Sequence, residues 1–431
     1  MITRARTIAA YWGRKAGSIG EPYVLAHSRR GSLVLDSFGG AGSIVKTALA
    51  NDRRAIYSDL SPVASLIARA EIEGVEPESL QRAWHELASR LQVRRPARPG
   101  KLQDRSHEFI ELCRCGLQAN VLYYLWRGGT RVGAKVSCSC GRKYLDASHL
   151  VPERVDCRNY APGNRLWYDD GTFFKKKRQV DEISELYTEK NSLILSRIKR
   201  NIDRLETERR TKNALRAAFV SILYQSSKMS RPGAGPWGIN SYWIPRTHAE
   251  RNPYLLFDFA IERVARLQGL AVGGTVESVL RGESRVAFLR RDARFLPLPD
   301  HSIDMAITDP PFGDEIQYFE LSYLAASWLG VSMPFSREIV VNPKQAKSVG
   351  RYLEDLSKAF LELNRVLKKQ GRAVFMLHDE EQEMLLEMGE AVVSAGFKIN
   401  RQDTTIMPQR QIGDRDERHG MELQILSCSK Q

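Results

Sequence analysis

At both ends of the chain, apolar residues fall into short runs that stop at an acid, a threonine or a glycine. In the middle they recur at helical spacing instead. Leu33–Asp36 is apolar, Gly39–Gly42 is a glycine-rich turn and Ala55–Asp59 is a second run, so residues 31–70 read as strand, turn, helix, strand and helix. That order opens a parallel α/β sheet. The same grammar resumes after residue 285, with Val286–Leu289, Ile303–Thr308 and Ala373–Leu377 as strands and an amphipathic helix over Tyr352–Leu367 leading into Lys369-Gln370-Gly371. The two stretches, 1–75 and 276–431, read as one interrupted Rossmann-like α/β domain.

Residues 76–275 have a different character and read as an insertion. It begins with a linker, Arg94-Arg95-Pro96-Ala97-Arg98-Pro99-Gly100, and continues into a cysteine segment over residues 113–140. After the basic run Lys175-Lys176-Lys177-Arg178, apolar residues at Leu186, Leu193, Ile194, Ile198, Ile202 and Leu205 mark a long amphipathic helix, with a second over Leu215–Tyr224.

Composition narrows the partners. A chain of 431 residues, 42% hydrophobic, can bury a catalytic core and carry a second module. Its formal charge of +14 favours a polyanion such as DNA or RNA over a small metabolite, against the alternative of a merely basic solvated surface. No basic segment leads into an apolar run at the amino terminus, and no stretch of about 18 apolar residues occurs, so neither signal peptide nor membrane span is expected and the cytoplasm is the expected compartment. Six cysteines in this length do not make a disulfide framework.

Asp36-Ser37-Phe38-Gly39-Gly40-Ala41-Gly42 follows a strand and precedes a helix, where glycines let the backbone approach a ligand and bare helix amides face it. A glycine turn needed only for packing would look similar. The next strand ends in Ser58-Asp59-Leu60, placing a carboxylate where ribose hydroxyls are received. Together they favour a nucleoside cofactor, NAD included. Thr308-Asp309-Pro310-Pro311-Phe312, at the end of another strand, narrows the field. The two prolines stiffen the backbone, remove two amide donors and present carbonyls beside Asp309, which makes a cradle for an amino group.

With Trp12, Arg14 and Lys15 before the first strand, Asp36–Gly42, Asp59-Leu60-Ser61-Pro62, Asp292-Ala293 with Leu296-Pro297, and Asp309–Phe312, the chain resembles the amino-methyltransferases of DNA. More narrowly, it is similar to adenine-specific DNA methylases with a zinc-ribbon insertion. Tyr318, Glu320-Leu321-Ser322 and Trp328-Leu329 after the catalytic motif belong to that likeness, as does Arg365-Val366-Leu367. The resemblance implies a class I methyltransferase sheet, S-adenosylmethionine as cofactor, and double-stranded DNA with a flipped adenine as substrate. Trp12, Arg14, Lys15 and Ser18 would lie near the methionine part, with Asp36, Phe38, Gly40 and Gly42 below it. Asp59 with Leu60 would take the ribose, Asp292 and Ala293 the cofactor adenine, and Asp309, Pro310, Pro311 and Phe312 the target base. A cytosine-N4 or RNA amino-methyltransferase is the nearest rival, and a non-catalytic nucleic-acid-binding subunit a rival of another class. A partner in restriction or phage defence is implied by the resemblance alone.

Cys113-Arg114-Cys115-Gly116 and Cys138-Ser139-Cys140-Gly141 form two knuckles around a strand-like Asn120–Arg127. Four thiolates joined by a hairpin would close a tetrahedral, structural zinc site, against the alternative of four thiols without metal. The basic run at Lys175–Arg178 and the stretch containing Arg231, Trp237, Tyr242, Trp243 and Arg246 suit phosphate contact and base stacking, against the alternative of an aromatic core.

Overall fold

The structure is a computed structural model. It describes residues 7–9, 17–94, 103–104, 109–151, 158–174, 180–233, 242–379, 381–407 and 421–431. Trp12, Arg14, Lys15, the Lys175–Arg178 run and Trp237 lie outside these, and Ser18 is described by its backbone alone.

The opening comprises α1 (Gly17–His27), β1 (Leu33–Asp36), α2 (Ser43–Ala50), β2 (Arg54–Ser58) and α3 (Pro62–Glu73). The middle begins with α4 (Pro77–Arg90), β3 (Val93–Arg94) and β4 (Gln103–Asp104), then β5 (Ile110–Leu112), β6 (Gln118–Arg127), β7 (Thr130–Cys138) and β8 (Gly141–Asp146). It ends with α5 (Glu189–Arg204), α6 (Arg209–Ile222), β9 (Thr247–Arg251) and α7 (Pro253–Ala265). The return runs through β10 (Gly273–Gly274), α8 (Val276–Leu280), β11 (Val286–Leu289), β12 (Ile303–Thr308), α9 (Tyr318–Leu329) and α10 (Val349–Val366). β13 (Leu367–Leu377), α11 (Gln382–Ser394), β14 (Phe397–Met407) and β15 (Met421–Lys430) follow. Among the described residues no helix is long and apolar enough to cross a membrane.

Eight strands form the main sheet in the order β10-β11-β2-β1-β12-β13-β15-β14. All are parallel except β15, which runs antiparallel to both β13 and β14, giving a Rossmann-like α/β sheet. Every residue of β1 is buried, because helices cover both faces and the strand need not alternate. Leu33 and Leu35 point into one apolar layer, and Val34 into the other. Strand order reverses at β1, which pairs with β2 on one side and β12 on the other. At such a reversal the helices leave in opposite directions and open a crevice beyond the carboxyl ends.

Two boundaries differ from the sequence reading. The strand expected over Ala373–Leu377 begins earlier, at Leu367, and the residues between Leu367 and Arg372 bulge where β12 advances only from Ile303 to Met305. Gly371 permits this, since a Cβ there would lie 2.6 Å from the Leu367 side chain. The sheet also resumes slightly before residue 276, because Gly273 and Gly274 already pair with β11.

The middle packs onto α3 and α9, two helices that flank the sheet. Strands β5–β8, with β9 alongside β6, make a small antiparallel sheet. Its apolar face and helices α4–α7 share one core with Val63 and Ile67 of α3 and Phe319, Leu324 and Trp328 of α9. The chain leaves at Gly74 and returns at Gly269. Their backbones touch, and a Cβ on Gly74 would stand 2.7 Å from the Gly269 Cα. Glu73, buried beside this junction, receives Arg209 of α6 at 2.9 Å, Arg69 at 3.3 Å and the Gly273 amide at 3.1 Å.

Candidate active site and cysteine cluster

The crevice at the strand reversal is a cleft of about 1040 Å³, part of it open to solvent. Asp36, Phe38, Gly40, Asp59, Leu60, Asp292, Ala293, Asp309 and Pro311 all line it. Residues from four strand ends, distant in sequence, thus face one space. Three predicted residues stand back from the lining. Gly42 caps α2 with φ of 77°, and a Cβ there would meet Ala68 at 3.1 Å, so its role is the packing of α2 on α3. Pro310 is buried. Phe312 is 1% exposed and meets His378 edge-on at 5.1 Å.

The glycine turn is built against Tyr57. A Cβ on Gly39 would fall 2.4 Å from that ring, whose hydroxyl donates to the Gly40 carbonyl at 2.7 Å. Asp59 braces the turn from the next strand, accepting the Gly40 and Ser61 amides, each at 2.7 Å. Burial nonetheless pushes Asp59 up to about 6, because those bonds only partly offset the loss of water. Asp36 is held well above the usual carboxylate range by burial and by the neighbouring Asp309 charge. Asp292 goes the other way. Burial would raise it, but bonds from Arg294 at 2.8 Å and Arg337 at 3.3 Å hold it low. Its carboxylate is enclosed by guanidinium groups.

The Asp-Pro-Pro turn is fixed from behind: Tyr352 donates its hydroxyl to the Pro311 carbonyl at 2.6 Å. No described residue donates to the Pro310 carbonyl. Tyr318, at the start of α9, also lines the cleft, and burial and the Asp309 charge raise its hydroxyl well above the ordinary value. The insertion holds α9 in place through Tyr224, which donates to the Leu321 carbonyl at 2.7 Å, and Tyr242, which donates to the Glu320 carbonyl at 2.6 Å. Tyr168 bonds the Glu320 carboxylate, and Asn342 donates to Tyr168 at 2.8 Å.

Sequence reasoning missed the wall formed by Arg337, Glu338 and Ile339. Its one signal was a charged pair placed directly before the apolar Ile339-Val340-Val341. The aromatic stretch also needs correction. Tyr242 is a buried core residue, unavailable for base stacking, while Trp243 is half-buried and Arg246 exposed.

The four paired cysteines converge at the end of the hairpin. Cys113 and Cys140 lie 3.6 Å apart, Cys115 and Cys138 3.5 Å, and all four sulfurs fall within 4.8 Å of one another. Zinc–sulfur bonds of about 2.3 Å in a tetrahedron set sulfurs roughly 3.8 Å apart, so the cluster suits the ion in spacing and donor type.

No protein-family model matches the chain, and no curated protein does. Among solved structures, it is similar to a protein of Thermus thermophilus described as a DNA modification methylase, at 16% identity and a TM-score of 0.20 over 32% of this chain and 50% of that one. It is similar to the [4+2]-cyclase SpnF at 20% identity and 0.21, over 36% of this chain and 60% of that one. For an S-adenosylmethionine-dependent methyltransferase of Methanosarcina mazei the values are 13% and 0.21, over 40% and 76%. The chain spans half the length of the first of these. Likenesses at such scores bear on neither activity nor substrate, as the presence of a cyclase illustrates.

Proposed function

We propose that the protein is an S-adenosylmethionine-dependent methyltransferase that modifies the N6 amino group of an adenine flipped out of double-stranded DNA. The observation that carries this reading is that Asp309 lines the same cleft as the 36–41 turn and Asp59. An amino-group cradle and a nucleoside-binding turn therefore share one space.

The donor set suits the cofactor. A ribose acid stands at Asp59, the α2 amino terminus has no side-chain cap, and Asp36 supplies negative charge for a sulfonium. Bound, the cofactor would supply an electrophilic methyl group. The protein's part is to prepare the amine. An exocyclic nitrogen is a poor nucleophile because its lone pair is delocalised into the ring. The Asp309 carboxylate and Pro310 carbonyl accept its two N–H bonds, favour a pyramidal nitrogen and free that lone pair. Pro311, tied to Tyr352, keeps the turn from yielding. Tyr318 is placed to flank the base alongside Phe312, which needs its ring freed from His378 to stack.

We assign residues 76–275 to target recognition and the cysteine cluster to structural zinc at its end. The test is incubation with labelled cofactor and duplex DNA, single-stranded DNA or transfer RNA, followed by nucleoside analysis. Label in N6-methyl-2′-deoxyadenosine from duplex DNA is the expected result. Label in N4-methylcytosine, or in RNA alone, would replace adenine DNA with a rival substrate, and no transfer at all would reject the enzyme.

A further inference from the structure

The cleft contains one buried acid that the roles above leave unused. Glu338 is 5% exposed and lines the cleft beside Arg337. Its Oε1 accepts the Phe319 amide in the first turn of α9 at 2.9 Å, while Oε2 has no hydrogen-bond partner among the described residues. An unpaired buried oxygen is destabilising, so a fold keeps one where something else satisfies it. The surrounding loop is firmly held. Lys347 donates to the Phe335 carbonyl at 2.5 Å and to the Glu338 carbonyl at 2.7 Å, and Arg337 reaches Asp292.

The other acids on this wall are more committed. Asp59 receives a backbone amide on each oxygen, and Asp292 is enclosed by Arg294 and Arg337. Glu338 lies close enough to Asp59 to feel its charge, and burial raises its carboxyl above the ordinary value. A nucleoside brings two ribose hydroxyls, both donors, to the Asp59 side of the cleft. We propose that Glu338 is a further cofactor-binding residue whose Oε2 accepts a hydrogen bond from a ribose hydroxyl.

The inference rests on the cofactor assigned above, and a binding experiment separates the two. Titration calorimetry is run on the full chain with S-adenosylhomocysteine and with its 2′-deoxy and 3′-deoxy forms. Glu338→Ala is expected to weaken the parent ligand on the order of tenfold. One deoxy form should bind wild type and variant equally, because the partner hydroxyl is already missing. If Glu338→Ala unfolds in a thermal melt, Glu338→Gln, which keeps a carbonyl for the Phe319 amide, is held to the same equality. Unchanged parent affinity, or equal losses for all three ligands, overturns the Glu338 assignment alone. Wild type that binds none of them removes the cofactor reading as well.

Discussion

Asp36, Asp59 and Asp292 face one cleft, and their unlike surroundings give them unlike proton affinities. Asp292, ringed by Arg294 and Arg337, keeps its charge. Asp36 and Asp59 have lost water without gaining a cation and are raised. A positively charged ligand beside them restores what burial removed, so binding should release protons. The sign follows. Below the folded value of about 6, Asp59 is protonated and must ionise to bind, so cofactor affinity should fall on acidification through that point and level off above it. For the empty protein the same shift acts oppositely: ionising Asp59 with rising pH lowers stability. Calorimetry in two buffers of different ionisation enthalpy measures the proton release, and affinity that improves on acidification would contradict the electrostatics. Asp309→Ala should keep cofactor binding yet lose turnover by about 10²–10³-fold or more, as expected when a preorganised acceptor is removed. Single-turnover methylation with saturating cofactor checks this.

Among the elements, those that a buried run and a hard stop define were legible. β1, β11 and β12 fall where the apolar runs place them, because fully covered parallel strands read as continuous hydrophobic stretches and Asp309-Pro310-Pro311 cannot continue a ladder. α5 and α6 were visible in their stripes. Pairings formed far along the chain were not: β9 lies on β6 through Tyr124 opposite Glu250, and no local pattern announces that partner. Nor does local sequence reveal that Tyr242 anchors α9, since the same aromatic residue suits stacking equally well until its burial is known. Glu73 fastens the insertion helix to the sheet edge, so Glu73→Gln should destabilise by about 1–3 kcal/mol. The lower part of that range reflects Arg209, half exposed and able to regain water. Urea unfolding reads the change. At the hairpin, Cys115→Ser should reduce bound zinc, and chelation should open residues 109–146 to protease before the sheet unfolds. Mass spectrometry of the metal and limited proteolysis report both, and an intact hairpin after metal removal would make the cluster dispensable.

For the whole molecule, a formal charge of +14 makes ionic strength the first test of the partner. Six or more phosphate contacts would cost duplex affinity about 10³-fold between roughly 50 and 200 mM salt. Fluorescence anisotropy measures it, and binding indifferent to salt would turn the reading away from nucleic acid. Arg127, Arg142 and Lys143, exposed on the small sheet, are among the cations available.

The contact between Gly74 and Gly269 has a consequence for how such a molecule diversifies. The sheet meets the same short gap however long the excursion between those two points becomes. The middle region can therefore be exchanged as a cassette while the sheet stays in register, provided each replacement offers a greasy face to α3 and α9. The two glycines are the fixed points between which the length of the excursion is free to vary.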